Sequence, residues 1–325
     1  MKSIWREILL SVIMGMILPG ILLNWKVEER ERTPGPTEFR PLETLQSAQR
    51  VRLNMKLRCA DGTLAEMDMD EYLVGVVLAE MPSTFKIEAK KAQAVAARTF
   101  ALKAGVTGGK HGDGSVCAEP GCCQAYLTNA EYLDKGGSQG AIDDARAAVD
   151  ATSGYVLTYQ GQLIEATYFS CSGGSTEDAV AVWGTDFPYL RAVESPGEEA
   201  AAHHSDTVSF TKQELQDRLG IILSGKPDSW IGTATYTAGG GVNTISIGGK
   251  TFSGTVLRAS LGLRSTAFTM EPAGDGVNII TKGFGHRVGL SQYGADAMAA
   301  SGSSFVEILA YYYRGTTLEL TNGIG

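Results

Sequence analysis

The sequence predicts an α+β fold: mixed helices and antiparallel strands in one main extracytoplasmic domain, with a smaller subdomain over residues 200–270 and one N-terminal transmembrane helix. Three observations lead there. Helix-like and strand-like stretches are interleaved without the regular βαβ alternation of a parallel sheet. The 325 residues are 43% hydrophobic and 20% charged, an ordinary globular composition with room for one large domain or two modest ones. An uncharged run from Ile8 to Trp25 follows Lys2 and Arg6.

That run is just long enough for a spanning helix, which needs roughly 17–25 residues. Basic residues ahead of it favour a cytoplasmic N-terminus. Trp5 and Trp25 suit the two interfaces, and no A-x-A-like site follows, so residues 1–25 read as a cytoplasmic stub and uncleaved anchor, with a cleaved signal peptide as the alternative; either sends the rest of the chain outside the cytoplasm. Residues 26–50, KVEERERTPGPTEFRPLETLQSAQR, are charged, proline-bearing and without apolar periodicity, as a linker is. The main domain spans 51–325. In VRLNMKLR, Val51, Leu53, Met55 and Leu57 alternate with polar residues as in a half-buried strand; Asp61-Gly62 turns the chain and TLAEM returns. Asp68 and Glu71 have capping-box spacing. A helix over 69–81 follows, burying Leu73, Val77, Leu78 and Met81 until Pro82 ends it. A second helix over 87–103 turns small residues inward (Ala89, Ala92, Ala96), which permits close packing, and Phe100 is its large anchor.

Residues 105–125 form a Gly/Cys-rich loop. GYVLTYQGQLIEATYFS reads as a hairpin turning at Gln160-Gly161, and CSGGSTED as a loop. A short helix near 211–219, a hairpin at Gly248-Gly249, the strand VNIITKG and helices near 290–300 and 303–313 complete the chain. The net charge of −8 argues against a nucleic-acid partner, because no overall positive field is present to release counterions.

Three constellations carry chemistry. Glu80 stands between an apolar helix and Met81-Pro82. Desolvation by Leu78, Met81 and Pro82 raises a carboxyl pKa and keeps its proton on, which suits a general acid; the other reading is a solvent-facing glutamate at a helix end. In the next helix Gln93 and Arg98 are five residues apart and do not share a face. They are either substrate donors in a polar cleft or ordinary helix residues, Arg98 then pairing with an acid. In GFGHRVGLSQYGADAMA, Gly283, Gly285 and Gly289 give the backbone around His286 unusual freedom. A helix follows, and Ser291, Gln292 and Tyr293 offer donors and acceptors. The glycine spacing misses the P-loop pattern, which excludes nucleotide binding of that kind. Finally, HGDGSVCAEPGCCQAY gathers His111, Cys117, Cys122 and Cys123 within thirteen residues. Thiolates and imidazole at that density suit tetrahedral zinc; a disulfide from Cys117 to Cys122 or Cys123 and free thiols are the alternatives. Cys59 and Cys171 are the remaining cysteines.

The stretches YLVGVVLAEMP…EAKKAQAVAARTFAL, FSCSGGSTEDAVAVWGTDFPYLRAVESP and GFGHRVGLSQYGA, in this order, resemble the stage II sporulation protein D family over residues 51–315. The resemblance implies a membrane-anchored lytic transglycosylase of endospore formers. Such a protein acts at the engulfing mother-cell membrane, facing the intermembrane space, and cleaves peptidoglycan strands already stripped of stem peptides. The implied partners are stage II sporulation proteins P and M. It implies Glu80 as the catalytic acid of the E-M-P motif. It also implies a structural zinc, which His111, Cys117 and Cys123 could hold. Arg287 stands where many members have glycine, and Cys171 where serine is frequent.

A lytic transglycosylase needs only one acid, which protonates the bridging oxygen and then accepts the proton of the muramyl C6 hydroxyl as a 1,6-anhydro ring closes. Gln93, Arg98, Tyr168, His286, Ser291, Gln292 and Tyr293 are the candidate substrate-binding residues. Two other classes are expected to compete: a glycan-binding amidase enhancer without cleavage, and a hydrolase with Glu165 or Asp178 as second carboxylate.

Overall fold

The computed structural model describes residues 53–321, all within one compact unit. The expected anchor over 1–25 and linker over 26–50 lie outside the described residues. Among the described residues no helix is long and apolar enough to cross a membrane.

Helices and mostly antiparallel sheets alternate irregularly along the chain. The first hairpin pairs Asn54–Arg58 with Leu64–Asp68, and the short strand Val116–Cys117 adds to its other edge in parallel. Asp68 caps the next helix, Met69–Glu80, its carboxylate accepting from the amides of Asp70 and Glu71. The expected reciprocal bond from Glu71 is replaced by an ion pair with Arg146 at 2.8 Å. This helix is buried on every side (Met69, Tyr72–Leu78), so the one-sided pattern read from the sequence is too narrow. Met81 takes the extended conformation that a residue before proline favours, and the helix stops there.

The helix Ile87–Thr107 runs past the expected end at 103, to Gly108 in the left-handed conformation. Its buried alanines (Ala89, Ala92, Ala94, Ala96, Ala97, Ala101) bring neighbouring elements close. Those neighbours are the Met69–Glu80 helix, the strand Tyr155–Tyr159, and the helices Gln139–Ala151, Gln292–Ala300 and Phe305–Tyr312. Gln139–Ala151 escapes the sequence reading. Its buried stripe of Ala141, Ile142, Ala145, Ala148 and Val149 has helical spacing but little apolar bulk. The hairpin at Gln160-Gly161 forms as expected, and Thr317–Leu320 closes its sheet.

A second hydrophobic cluster draws on residues Phe210 to Ile279. It joins the sheet of Ser205–Thr211, Gly276–Lys282 and Phe268–Ala273 to the meander Ile231–Tyr236, Val242–Ile247 and Lys250–Ser253. The main core is built around the two long helices. Tyr168–Phe169 pairs in parallel with Leu290–Ser291, which delivers the GFGHRVGLSQYG loop to the end of the Met69–Glu80 helix.

Candidate active site

A cleft of about 860 Å³ is lined by Glu80, Gln124, Tyr168, Trp183, Phe284 and His286 among others. Glu80 enters it from the last residue of its helix. The negative end of a helix dipole disfavours a carboxylate there, and burial raises the Glu80 pKa above its ordinary 4.5. Two donors work the other way. The Ala125 amide donates to Oε1 at 2.7 Å and Gln292 Nε2 to Oε2 at 3.3 Å. Each carboxylate oxygen therefore has one fixed partner. The acid leans toward its protonated form, and its anion is still provided for.

The strip that supplies the Ala125 amide is pressed onto the helix. The Leu127 amide donates to the Gly75 carbonyl at 3.2 Å. A Cβ on Gly75 would stand 2.3 Å from the Tyr126 ring and 2.5 Å from the Leu127 carbonyl oxygen. Gln124 is buried beside it, donating to the Tyr72 hydroxyl at 3.0 Å and accepting from the Tyr168 hydroxyl at 2.7 Å. Burial first, then the charge of Glu80, lifts the Tyr168 phenol well above its usual range, so it stays neutral.

The loop 283–291 folds tightly against the strand of Tyr168. Gly289 has φ +83°, and a Cβ there would lie 2.1 Å from the Thr167 carbonyl oxygen, so only glycine fits. His286 faces the cleft between Phe169 and Trp183, with ring centroids at 5.6 and 5.2 Å. Burial, helped by the Arg258 charge, lowers its pKa to about 4, and its Nδ1 accepts from the Val288 amide at 3.1 Å. It is a neutral wall residue at physiological pH.

The structure does not gather all the candidate substrate-binding residues. Gln93 is fully buried behind Gln292, whose Nε2 reaches Gln93 Oε1 at 3.4 Å; Gln93 Nε2 is left without a partner. Arg98 lies apart from Glu80 and follows the second of its two readings, pairing with an acid. Lying five residues further along the helix, it faces the interior, donating to Asp70 at 2.9 Å and to the carbonyls of Thr152 at 2.6 Å and Tyr155 at 3.2 Å. Ser291 is also turned inward: it caps the Gln292–Ala300 helix and donates to the buried Glu198 at 2.8 Å. Tyr293 packs edge-on against Phe85 with centroids 4.9 Å apart. Of the second-acid candidates, Glu165 lines the cleft but pairs with Lys103 at 2.9 Å, and Asp178 accepts from the Ala192 amide at 2.7 Å.

Next to this centre, the donor atoms of His111, Cys117, Cys122 and Cys123 all lie within 4.8 Å of one another and could hold a metal ion. These are the four residues that the sequence reading gathers, one more than the three named with the family resemblance. All five cysteines are free thiols. Burial opposes ionisation of Cys117, but hydrogen bonds from the Glu119 backbone, His111, Cys122 and Cys123 outweigh it and bring the thiol to about 7.

Residues 61–159 match the SpoIID family, described as stage II sporulation protein. The chain is 41% identical over 266 residues to stage II sporulation protein D of Bacillus subtilis (strain 168), covering 80% of this chain and 77% of that protein. It belongs to the stage II sporulation protein D family. The Bacillus amyloliquefaciens protein of the same name is 39% identical over the same shares. The amidase enhancer of Bacillus subtilis is 30% identical over 76% of this chain but only 40% of that longer protein.

The position where many members of the family carry glycine is explained by the backbone. Arg287 has φ +65°, the left-handed conformation natural to glycine. Its guanidinium offsets the strain by donating to Glu177 at 3.1 Å and to the carbonyls of Ser172, Ser175 and Gly239 at 2.8, 2.6 and 2.7 Å. Cys171, in place of the frequent serine, donates to Glu198 at 3.0 Å, as a hydroxyl would. Neither departure touches Glu80. The sequence reading missed the Ala125 amide, Gln124 and the exposed aromatics Trp183 and Phe284. The last two stand inside quoted motifs, but only the fold shows which face they present.

Proposed function

We propose that the chain is a membrane-anchored lytic transglycosylase that cleaves peptide-stripped peptidoglycan strands during endospore engulfment, with Glu80 as its one acid–base group. The setting of Glu80 carries this reading. It is a desolvated carboxyl in a cleft, held by one donor on each oxygen, while Glu165 is tied to Lys103. Protonated Glu80 gives its proton to the bridging oxygen as the bond to C1 breaks. The carboxylate left behind is held by Ala125 N–H and Gln292, then takes the C6-hydroxyl proton as that oxygen closes on C1. No water is consumed and the acid is regenerated. Tyr168, neutral and oriented by Gln124, can hold a sugar hydroxyl. The neutral ring of His286 adds apolar wall.

Three donors of the His/Cys cluster are spaced as zinc ligands would be, and Cys117 lies within 4.8 Å of them. Tetrahedral ligation with Zn–S about 2.3 Å and Zn–N about 2.0–2.1 Å implies donor–donor edges of about 3.5–3.8 Å. The Cys122–Cys123 sulfurs are 3.8 Å apart, and His111 Nε2 lies 3.8 and 3.6 Å from them. Bound there, zinc would supply a structural cross-link, holding the loop that continues into Gln124 and Ala125. The same reading places the domain outside the cytoplasm, with stage II sporulation proteins P and M as partners, which co-purification from sporulating cells tests.

The similarity to an amidase enhancer supports a second reading, a domain that holds glycan and stimulates a partner. Mass spectrometry of products from peptide-free strands separates the two. Anhydro-muramyl ends that vanish in a folded Glu80→Ala protein support the transglycosylase. Reducing ends point to a second carboxylate. Strand binding without cleavage in the presence of zinc and partner supports the enhancer.

A further inference from the structure

The cleft also holds positive charge that the chemistry at Glu80 does not use. Arg258, in the last turn of the Gly254–Leu261 helix, lines the cleft. Arg58, Arg98, Arg146, Arg191, Arg264 and Arg287 each pair with an acid; Arg258, like Arg218 and Arg314, has no carboxylate partner among the described residues, and of these three Arg258 lines the cleft, its guanidinium half-buried. Lys110 lines the same cleft and donates only to the Cys122 carbonyl. Both cations are close enough to His286 to depress its protonation. The acids on this wall are engaged elsewhere: Glu80 accepts from Ala125 N–H and Gln292, and Glu165 is paired with Lys103. In a chain of net charge −8, a cleft with an unpaired arginine is a distinct local environment.

Beside these cations stand two exposed aromatic rings, Trp183 at 42% and Phe284 at 41% exposure, both on the cleft wall. Aromatic faces take the apolar faces of sugar rings, and a guanidinium takes a carboxylate through paired N–H donors. Together they describe a site for an acidic sugar.

We propose that Arg258, with Lys110 and the Trp183–Phe284 wall, forms a saccharide subsite that reads the free lactyl carboxylate of a muramyl residue. This rests on the glycan reading above and gives it a residue-level basis for selectivity. In a strand of alternating N-acetylglucosamine and N-acetylmuramic acid, only the muramyl residue carries an acid. While a stem peptide is attached, that acid is a neutral amide. Removal of the peptide therefore creates the charge that Arg258 lacks, and an unpaired half-buried cation discriminates against the amide.

The test is calorimetric binding to the full chain carrying Glu80→Gln, which blocks turnover. Three probes are compared: peptide-free strands, the same strands with their lactyl carboxylates converted to methylamides, and N-acetylglucosamine oligomers. The charged strand should bind about tenfold more tightly than its methylamide, the scale of one charge-assisted hydrogen bond. Adding Arg258→Gln should erase that preference while leaving the affinity for N-acetylglucosamine oligomers unchanged; Arg258→Lys should retain part of it. A preference that survives Arg258→Gln overturns the assignment. So does an equal loss for all three probes, which would mark Arg258 as structural. Failure of the Glu80→Gln protein to bind any of the glycans would overturn the glycan reading itself, and the subsite with it.

Discussion

Gln292 Nε2 lies 3.3 Å from Glu80 Oε2, joining residues 212 positions apart at the point where the acid's protonation is set. The donor favours the carboxylate and lowers a pKa that burial has raised. An enzyme whose acid must start protonated loses activity as pH rises through that pKa. The falling limb of kcat/KM should therefore lie above the ordinary 4.5 of a glutamic acid. Gln292→Leu removes the donor, so the limb should move to higher pH while the peak rate falls. A limb that stays in place, or moves toward acid, would show that Gln292 does not act on Glu80.

Glu80 should also lower stability, in a definite pH window. Its folded pKa is above the unfolded value of 4.5, so below 4.5 both states hold the proton and the group contributes nothing. As pH rises from there through the folded pKa, the unfolded state ionises more readily and stability is lost. Glu80→Gln should abolish cleavage, by at least the ~10²–10⁴-fold that general acid–base catalysis contributes. It should also raise Tm above that window and leave it nearly unchanged below. Thermal melts across pH check this, and a Glu80→Gln protein less stable at neutral pH would contradict the desolvated acid.

Gly75→Ala tests the strip that aims the Ala125 amide. The new methyl would meet the Tyr126 ring at 2.3 Å and the Leu127 carbonyl oxygen at 2.5 Å. The ring can turn away, but the carbonyl belongs to the backbone that continues from Ala125. Overpacking of this kind costs about 1–3 kcal/mol. Denaturant melts should show that loss, and activity should fall with it. Adding Tyr126→Ala relieves the first contact only, so the double variant should stay impaired. Full recovery would mean the strip is not held by this contact.

Much of this architecture was legible because local chemistry and fold agree. The Asp68 cap, the Pro82 stop and the Gln160-Gly161 turn are each decided within a few residues, and each appears where the sequence puts it. Glu80 stood out for the same reason: its apolar neighbours and the helix end are adjacent in sequence. What escaped depends on contacts across the chain. Arg98 and Gln93 share a helix, and which one faces the centre is decided by Asp70, Thr152 and Tyr155 on one side and Gln292 on the other. Ser291 has a hydroxyl suited to a substrate, but Glu198 beneath it takes that donor. The Ala125 amide has no side-chain signature at all, and helix Gln139–Ala151 hid behind alanines too small to announce a buried face.

The metal cluster joins sequence, structure and chemistry most directly, because Cys123 is followed at once by Gln124 and Ala125. The isolated full chain should carry about one zinc. With zinc bound, Cys117, Cys122 and Cys123 are shielded. Cys171 is buried, with its pKa raised to about 12 by that burial and by Glu198, which leaves Cys59 as the thiol that reacts quickly. A strong chelator should raise the number of fast-reacting thiols above one, with Cys123, which burial pushes up to about 12, lagging behind, and should lower Tm, since ligation energy is folding energy here. It should also loosen the Ala125 amide from Glu80. That amide favours the carboxylate, so its loss should push the acid's pKa up and move the falling limb of activity to higher pH, the same direction as Gln292→Leu. Thiols released by reductant but not by chelator would mean a disulfide in place of the metal. A chelated protein with an unmoved pH limb would mean that the cluster braces the loop without reaching the acid.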